Sequence, residues 1–151
     1  MTQLQNYKIR TTGKPKTLTL ILTAVMASAF VSGAALVVTV GKPQTTGTKA
    51  VLKLAIENTF NEPVASAKAS VFLLDENGKM AGQASKWVIG GTKGKPGLAA
   101  GATNTFYFVI SSDKPLIMTN LTAKVSFSRV VLEGGKVADP SRDVQILPIP
   151  K

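Results

Sequence analysis

The sequence predicts an all-β chain: an antiparallel β-sandwich preceded by one apolar N-terminal segment. Three observations predict it. Beyond Gly41 the apolar residues recur with a period of two, and no stretch shows the 3.6-residue period of an amphipathic helix. Turn-forming clusters of Gly, Pro, Asn and Asp recur roughly every ten residues. Ahead of this region, Thr17 to Gly41 contains no charged residue at all.

Residues 1–17 form a basic N-terminal region, in which Lys8, Arg10, Lys14 and Lys16 stand with no acidic residue among them. Residues 18–40 follow as the apolar segment, most apolar from Leu18 to Met26. Two readings stay open for it. As a membrane anchor, it is long enough to cross a hydrocarbon core of about 30 Å at about 1.5 Å per helical residue. As a secretory signal peptide, it offers Ala27-Ser28-Ala29 as a small-residue cleavage motif before Phe30. In both, the positive residues stay inside and the chain beyond Gly41 faces outside. The expected localisation is extracytoplasmic, membrane-anchored or secreted. If Phe30 is the mature start, Ala34 to Val40 is β-branched enough to be a strand. Leu36, Val38 and Val40 then form a candidate assembly strand.

Residues 41–48 read as a linker and residues 49–147 as the sandwich. Leu52, Leu54 and Ile56 share one face of the first strand, opposite Lys53 and Glu57. Asn58 to Pro63 breaks the pattern, because Asn bonds locally to backbone and Pro cannot donate to a ladder. Ala69, Val71 and Leu73 share a face of the next strand. Asp75-Glu76-Asn77-Gly78 then reads as a tight hairpin turn whose Asn-Gly supplies positive φ values. From Ala81 to Ile89, Trp87 is expected in the sandwich core, with an exposed binding platform as the alternative. Gly90 to Gly97 is a flexible basic loop. It fails the phosphate-binding spacing, but Lys93 and Lys95 make it a candidate interaction loop. Phe106, Phe108 and Ile110 line one strand face. Leu121, Ala123, Val125 and Phe127 give the cleanest alternation in the chain. Val144 to Leu147 reads as a last edge strand, and residues 148–151 as a tail whose Pro148 and Pro150 protect that edge.

The composition excludes several chemistries. The chain of 151 residues has no cysteine and no histidine. Disulfides, thiolate metal sites and a lipidated-Cys anchor are therefore ruled out, as is the commonest general base. The eight acidic residues fall mostly at strand ends or turns. Asp75, Glu76 and Asn77 carry oxygen ligands that suit Ca²⁺, but no full ligand loop follows and the hairpin explains them. No Ser-x-x-Lys lies in a helical setting. Asn120-Leu121-Thr122 fits a glycosylation sequon. No catalytic residue, metal ligand or cofactor is expected. The net charge of +10 is explained by solubility and topology, and it also suits an anionic partner.

Val71-Phe72-Leu73-Leu74-Asp75 is similar to the name motif of the FxLYD family of immunoglobulin-like extracytoplasmic domains. Leu73 and Asp75 agree, while Val71 replaces the Phe and Leu74 the Tyr. Asn58 ends a strand as in that family, Gly78-Lys79 follows the Asp, and Leu98-Ala99-Ala100-Gly101 resembles its Leu-x-Pro-Gly lead into a Phe-bearing strand. The likeness runs from Lys49 to Phe127. It implies an immunoglobulin-like sandwich at a prokaryotic cell envelope and transfers no catalytic residue.

Two functions follow as expectations. One is a non-enzymatic interaction module at the envelope, held to the membrane through the N-terminal segment and meeting a protein or an anionic envelope polymer. The alternative is a secreted subunit that assembles into a homo-oligomeric filament by donor-strand insertion of residues 30–40. The outward topology argues against nucleic acid.

Overall fold

A computed structural model describes Gly33, residues 35–117 and residues 121–147. The chain divides after Phe30 into two units, and the described residues belong to the second. The basic N-terminal region, the Ala29 cleavage motif, Asn120 and the tail prolines lie outside the described residues. Among the described residues, no helix is long and apolar enough to cross a membrane.

Two β-sheets face each other across one core. The strands are β1 (Leu36–Val40), β2 (Gln44–Thr46), β3 (Lys49–Asn58), β4 (Val64–Leu74), β5 (Met80–Ile89), β6 (Thr103–Ser111), β7 (Thr122–Leu132), β8 (Val137–Ala138) and β9 (Val144–Leu147). A four-residue helix, α1 (Pro140–Asp143), precedes β9. In the first sheet β6 covers one edge of β3 from Lys49 to Glu57, so β1 and β2 share the other edge. β9 closes that sheet by pairing parallel to β1. The second sheet runs β5-β4-β7-β8, antiparallel throughout.

Period-two sequence becomes period-two burial. Leu52, Leu54 and Ile56 of β3 are fully buried, as are Ala69, Val71 and Leu73 of β4. Phe108, Ile110 and Phe127 join the same core, while Phe106, Ala123 and Val125 pack against it half-buried. Each large aliphatic so placed contributes about 1.5–3 kcal/mol relative to exposure. The expected strand at Val144–Leu147 forms as β9 on the sheet edge.

The turn after β4 forms where expected, but with different geometry. Only Gly78 has positive φ, at 74°, and Asn77 does not. Gly78 N donates to Asp75 O and Asp75 N to Lys79 O. That is a type I turn closed by a left-handed glycine, not the two-residue turn that needs positive φ twice. Asp75 is spent on it: its Oδ1 accepts from Asn77 N and Lys79 N, both at 2.9 Å.

β1 forms within the stretch offered as a strand for a chain starting at Phe30, but inside the sandwich and not as a free strand. Leu36 and Val38 are fully buried and Val40 nearly so, between β3 and β9. Gly41 N continues the β1 ladder onto Lys53 O, and β2 resumes on the same edge with the register moved by one residue. The sandwich thus begins at Leu36 and not at Lys49. The expected apolar segment overlaps it, and the expected linker is largely the step between two collinear strands.

One end of the sandwich carries three crossings between the sheets. Residues 59–63 lead from β3 to β4, residues 90–102 from β5 to β6, and residues 139–143 from β8 to β9. Asn58 stands where the first two meet, and it is the one polar side chain buried in the core of the described residues. Its Nδ2 donates to Glu62 O, Leu98 O and Ala99 O at 3.1, 3.0 and 3.2 Å, and its Oδ1 accepts from Phe60 N at 3.0 Å. Its backbone N donates to Ala102 O and its O accepts from Gly101 N. Thr59, the next residue, exchanges bonds with Ala35 just before β1. The third crossing is held locally. Ser141 Oγ and N both donate to Asp139, holding that carboxyl below its usual range.

Removing the Asn58 amide takes the partner from Phe60 N and Glu62 O, and one of two donors from Leu98 O and Ala99 O, which keep Val64 N and Ala102 N. Asn58→Ala is expected to lower stability by about 2–4 kcal/mol. Asn61→Ala, on the exposed side of the same crossing, is expected to cost under about 0.5 kcal/mol. Urea titration of both variants checks this, and equal losses would remove the special role of Asn58.

Candidate functional surface

The candidate residues fall in two places. Leu36, Val38 and Val40 are core residues of their own sheet. They are not a free strand here, because β3 and β9 occupy both their edges. The start of the expected donor segment, residues 30–32, lies outside the described residues. Lys93 and Lys95 are exposed on the loop after β5. That loop is pinned at several points: Gly90 N donates to Pro96 O, Lys95 N to Thr92 O, and the Lys95 ammonium to Trp87 O.

Trp87 is neither in the core nor fully exposed. A β-bulge opposite Ala67 and Lys68 shifts the phase of β5, pairing Ala67 with Ile89 and Lys68 with Trp87. Val88 and Ile89 are both buried as a result, and Trp87 is left half-buried on the outer side. Gly91 lies directly against it: a Cβ there would come within 2.2 Å of the indole.

β5 and β6 are edge strands of different sheets that run close together. A Cβ on Gly82 would meet Ser111 O at 2.8 Å, so only glycine permits this approach. Further along, Lys86 turns inward. Its Nζ lies 4.7 Å from the Phe108 ring centroid and donates to Tyr107 O. Burial, and then the charge of Lys95, hold its pKa below the ordinary lysine value. An inward-pointing charge on an edge strand discourages pairing with another chain.

The outer face of the second sheet is ordered by its ladder. Trp87, Lys68 and Arg129 lie side by side across β5, β4 and β7; then come Ser85, Ser70 and Ser126; then Gln83, Phe72 and Lys124. The outer face of the first sheet differs. There Val51 stands beside Val109, Lys53 beside Tyr107, and Glu57 adds an acid. At the end opposite Asn58, a cleft of about 420 Å³ lies between the β4–β5 turn and the loop after β6. It mixes both charges, with Asp75, Asp113, Lys79 and Lys114 among its walls. The sequence shows all these residues; what it hides is the bulge that turns Trp87 outward beside Lys68.

No protein-family model matches the sequence, and no curated protein matches it significantly. Several solved structures match it, among them the following three. A Bordetella pertussis protein described provisionally as ApaA is 18% identical over 70% of this chain and 87% of its own, with a TM-score of 0.48. A structural-genomics target, SoR45, is 15% identical over 69% of this chain and 78% of its own, at 0.49. The CARDB domain of the PF1109 protein from Pyrococcus furiosus, solved with two metal ions, is 14% identical over 77% of this chain and 90% of its own, at 0.41.

The chain has one tryptophan, so its fluorescence reports Trp87 alone. Gly91→Ala is expected to expel the indole and move its emission to longer wavelength. Gly94→Ala introduces similar strain, at φ 81°, with nothing within 4 Å of its new methyl. It should leave the emission unchanged. A shift in both variants, or in neither, would contradict the packing of Trp87 on Gly91.

Proposed function

We propose that this chain is a non-enzymatic, immunoglobulin-like interaction module on the outer side of a prokaryotic cell membrane. The observation that carries the reading is the outer face of the second sheet, which no described strand covers, whose charged residues are all basic and which the Lys93–Lys95 loop flanks. The resemblance to the FxLYD family and the four N-terminal cations ahead of a charge-free segment support the outward location. The positions of the acidic residues support binding over catalysis. Asp75 is engaged in its turn, Asp139 caps α1, Asp143 ends it paired with Arg142, and Glu57 lies on an outer face.

The alternative, a filament subunit, would require Leu36–Val40 to leave its slot between β3 and β9 and enter a second copy. A hinge at Gly41–Pro43 would have to release the Gly41 bond to Lys53. The anchored or secreted module needs no such exchange.

Labelling of intact source cells with a membrane-impermeant, lysine-reactive reagent tests the reading. The full chain should be labelled before the cytoplasmic membrane is broken, with labelled peptides containing Lys93 and Lys124. Labelling only after lysis would overturn it. A labelled chain starting at Phe30 and recovered as large assemblies would instead favour the filament.

A further inference from the structure

The strands of the second sheet contain no acidic residue. Lys68 and Arg129 are cross-strand neighbours, and Lys124 lies four β4 positions further along the same face. Neighbouring strands are about 4.8 Å apart, and four residues of strand span about 13 Å. Lys68 and Arg129 therefore act on one acid group together, while Lys124, beyond the screening length of about 10 Å at 0.1 M salt, meets a separate group further along a polymer. The Lys95 ammonium, bonded to Trp87 O, adds a fourth at the Trp87 end. Among the described residues none of these four cations makes an ion pair, and the one pair found, Arg142 to Asp143, belongs to α1.

The face also carries neutral polar groups. Ser85, Ser70 and Ser126 form a row of hydroxyls between the charged rows, with Ser70 Oγ 2.8 Å from Ser85 Oγ. Gln83 follows in the next row. Half-buried Trp87 presents an aromatic surface beside Lys68. Hydroxyl groups, two half-buried aromatic rings, Trp87 and Phe72, and cations outside any ion pair together suit a sugar polymer that carries acid groups. A protein partner would be expected to meet a central cluster of large exposed apolar anchors; Val51, Tyr107 and Val109 stand on the other sheet, and Met80 and Val137 of this one are the first residues of β5 and β8, outside the rows of Lys68, Ser70 and Phe72.

We propose that the outer face of the second sheet binds an anionic polysaccharide bearing carboxylates. The acid groups are held by Lys68, Arg129 and Lys124, and a sugar ring rests against Trp87. Arg129 is suited to grip a carboxylate with two parallel N–H bonds. The proposal rests on the outward location for access to such a polymer, and its chemistry can be tested separately.

The test is titration of the full chain with polygalacturonate, read by Trp87 fluorescence, against the fully methyl-esterified polymer. Polygalacturonate should change the emission, less so as salt rises, and the neutral ester should not. The Lys68→Gln/Arg129→Gln double variant should bind about tenfold more weakly or worse. Lys53→Gln, on the other sheet, should bind within about twofold of the parent. Matching thermal unfolding of the variants ensures that the face is intact. No response to polygalacturonate, an equal response to the ester, or an equal loss in Lys53→Gln would overturn the proposal. So would tighter binding to phosphatidylglycerol vesicles or single-stranded DNA. A chain located inside the cell that still binds polygalacturonate would remove the envelope reading alone. A chain located outside that does not bind would remove this inference alone.

Discussion

The sandwich depends on the Asn58 side-chain amide. Two sheets with complementary faces would bury apolar area in several relative positions, because that force has no direction. Hydrogen bonds from a buried amide do have direction. Asn58 ends β3 in the first sheet, yet bonds Leu98 O, on the segment that pairs with Val64 at the start of β4 in the second. Glu62 and Pro63 carry the tie onward, accepting from Gly134 N and Glu133 N in the β7–β8 turn. Backbone at this end, starved of ladder partners by the crossings, is satisfied through one side chain and its neighbours. The opposite end is closed more loosely, with Leu116 N on Gly47 O and Ser112 N on Thr48 O.

Much of this architecture was legible in the sequence, for a physical reason. β3, β4, β6 and β7 each alternate over several residues, and alternation maps directly onto inward and outward faces. β1 was harder to delimit. Leu36 to Val40 continues a charge-free run, so hydropathy alone cannot separate it from what precedes it. Its parallel partner β9 lies about a hundred residues away, where no local signal reaches. Trp87 was misplaced by one bulge: strict alternation put it with Ile89, whereas the extra residue at Val88 turns it outward. Asn58 was readable as a strand end, but not as the donor to Leu98 and Ala99, because that bond needs the second crossing in place.

Loss of that one phase also changed the functional picture. With Trp87 in the core, the Lys93–Lys95 loop was a basic excursion with no surface beside it. With Trp87 outward, Lys95 bonds to its carbonyl and Lys68 stands next to it. The loop then becomes the end of a longer basic face. The two edges nearest this face are closed by local means: Gly82 lets β5 approach β6, and Lys86 reaches across Phe108 to Tyr107. Among the described residues, no strand covers the broad outer faces of the two sheets.

The central claim, that Asn58 locks the crossings to the folded core, is tested most directly by native-state hydrogen exchange. The amides of Phe60 and Gly101 donate to Asn58, and those of Leu98 and Ala102 donate to Val64 O and Ala99 O on the segment that Asn58 Nδ2 holds. They are predicted to exchange only with global unfolding, at the same free energy as the β3 amides of Leu52 and Leu54. Exchange of these four amides through a separate, lower-energy opening, while β3 stays protected, would contradict the account.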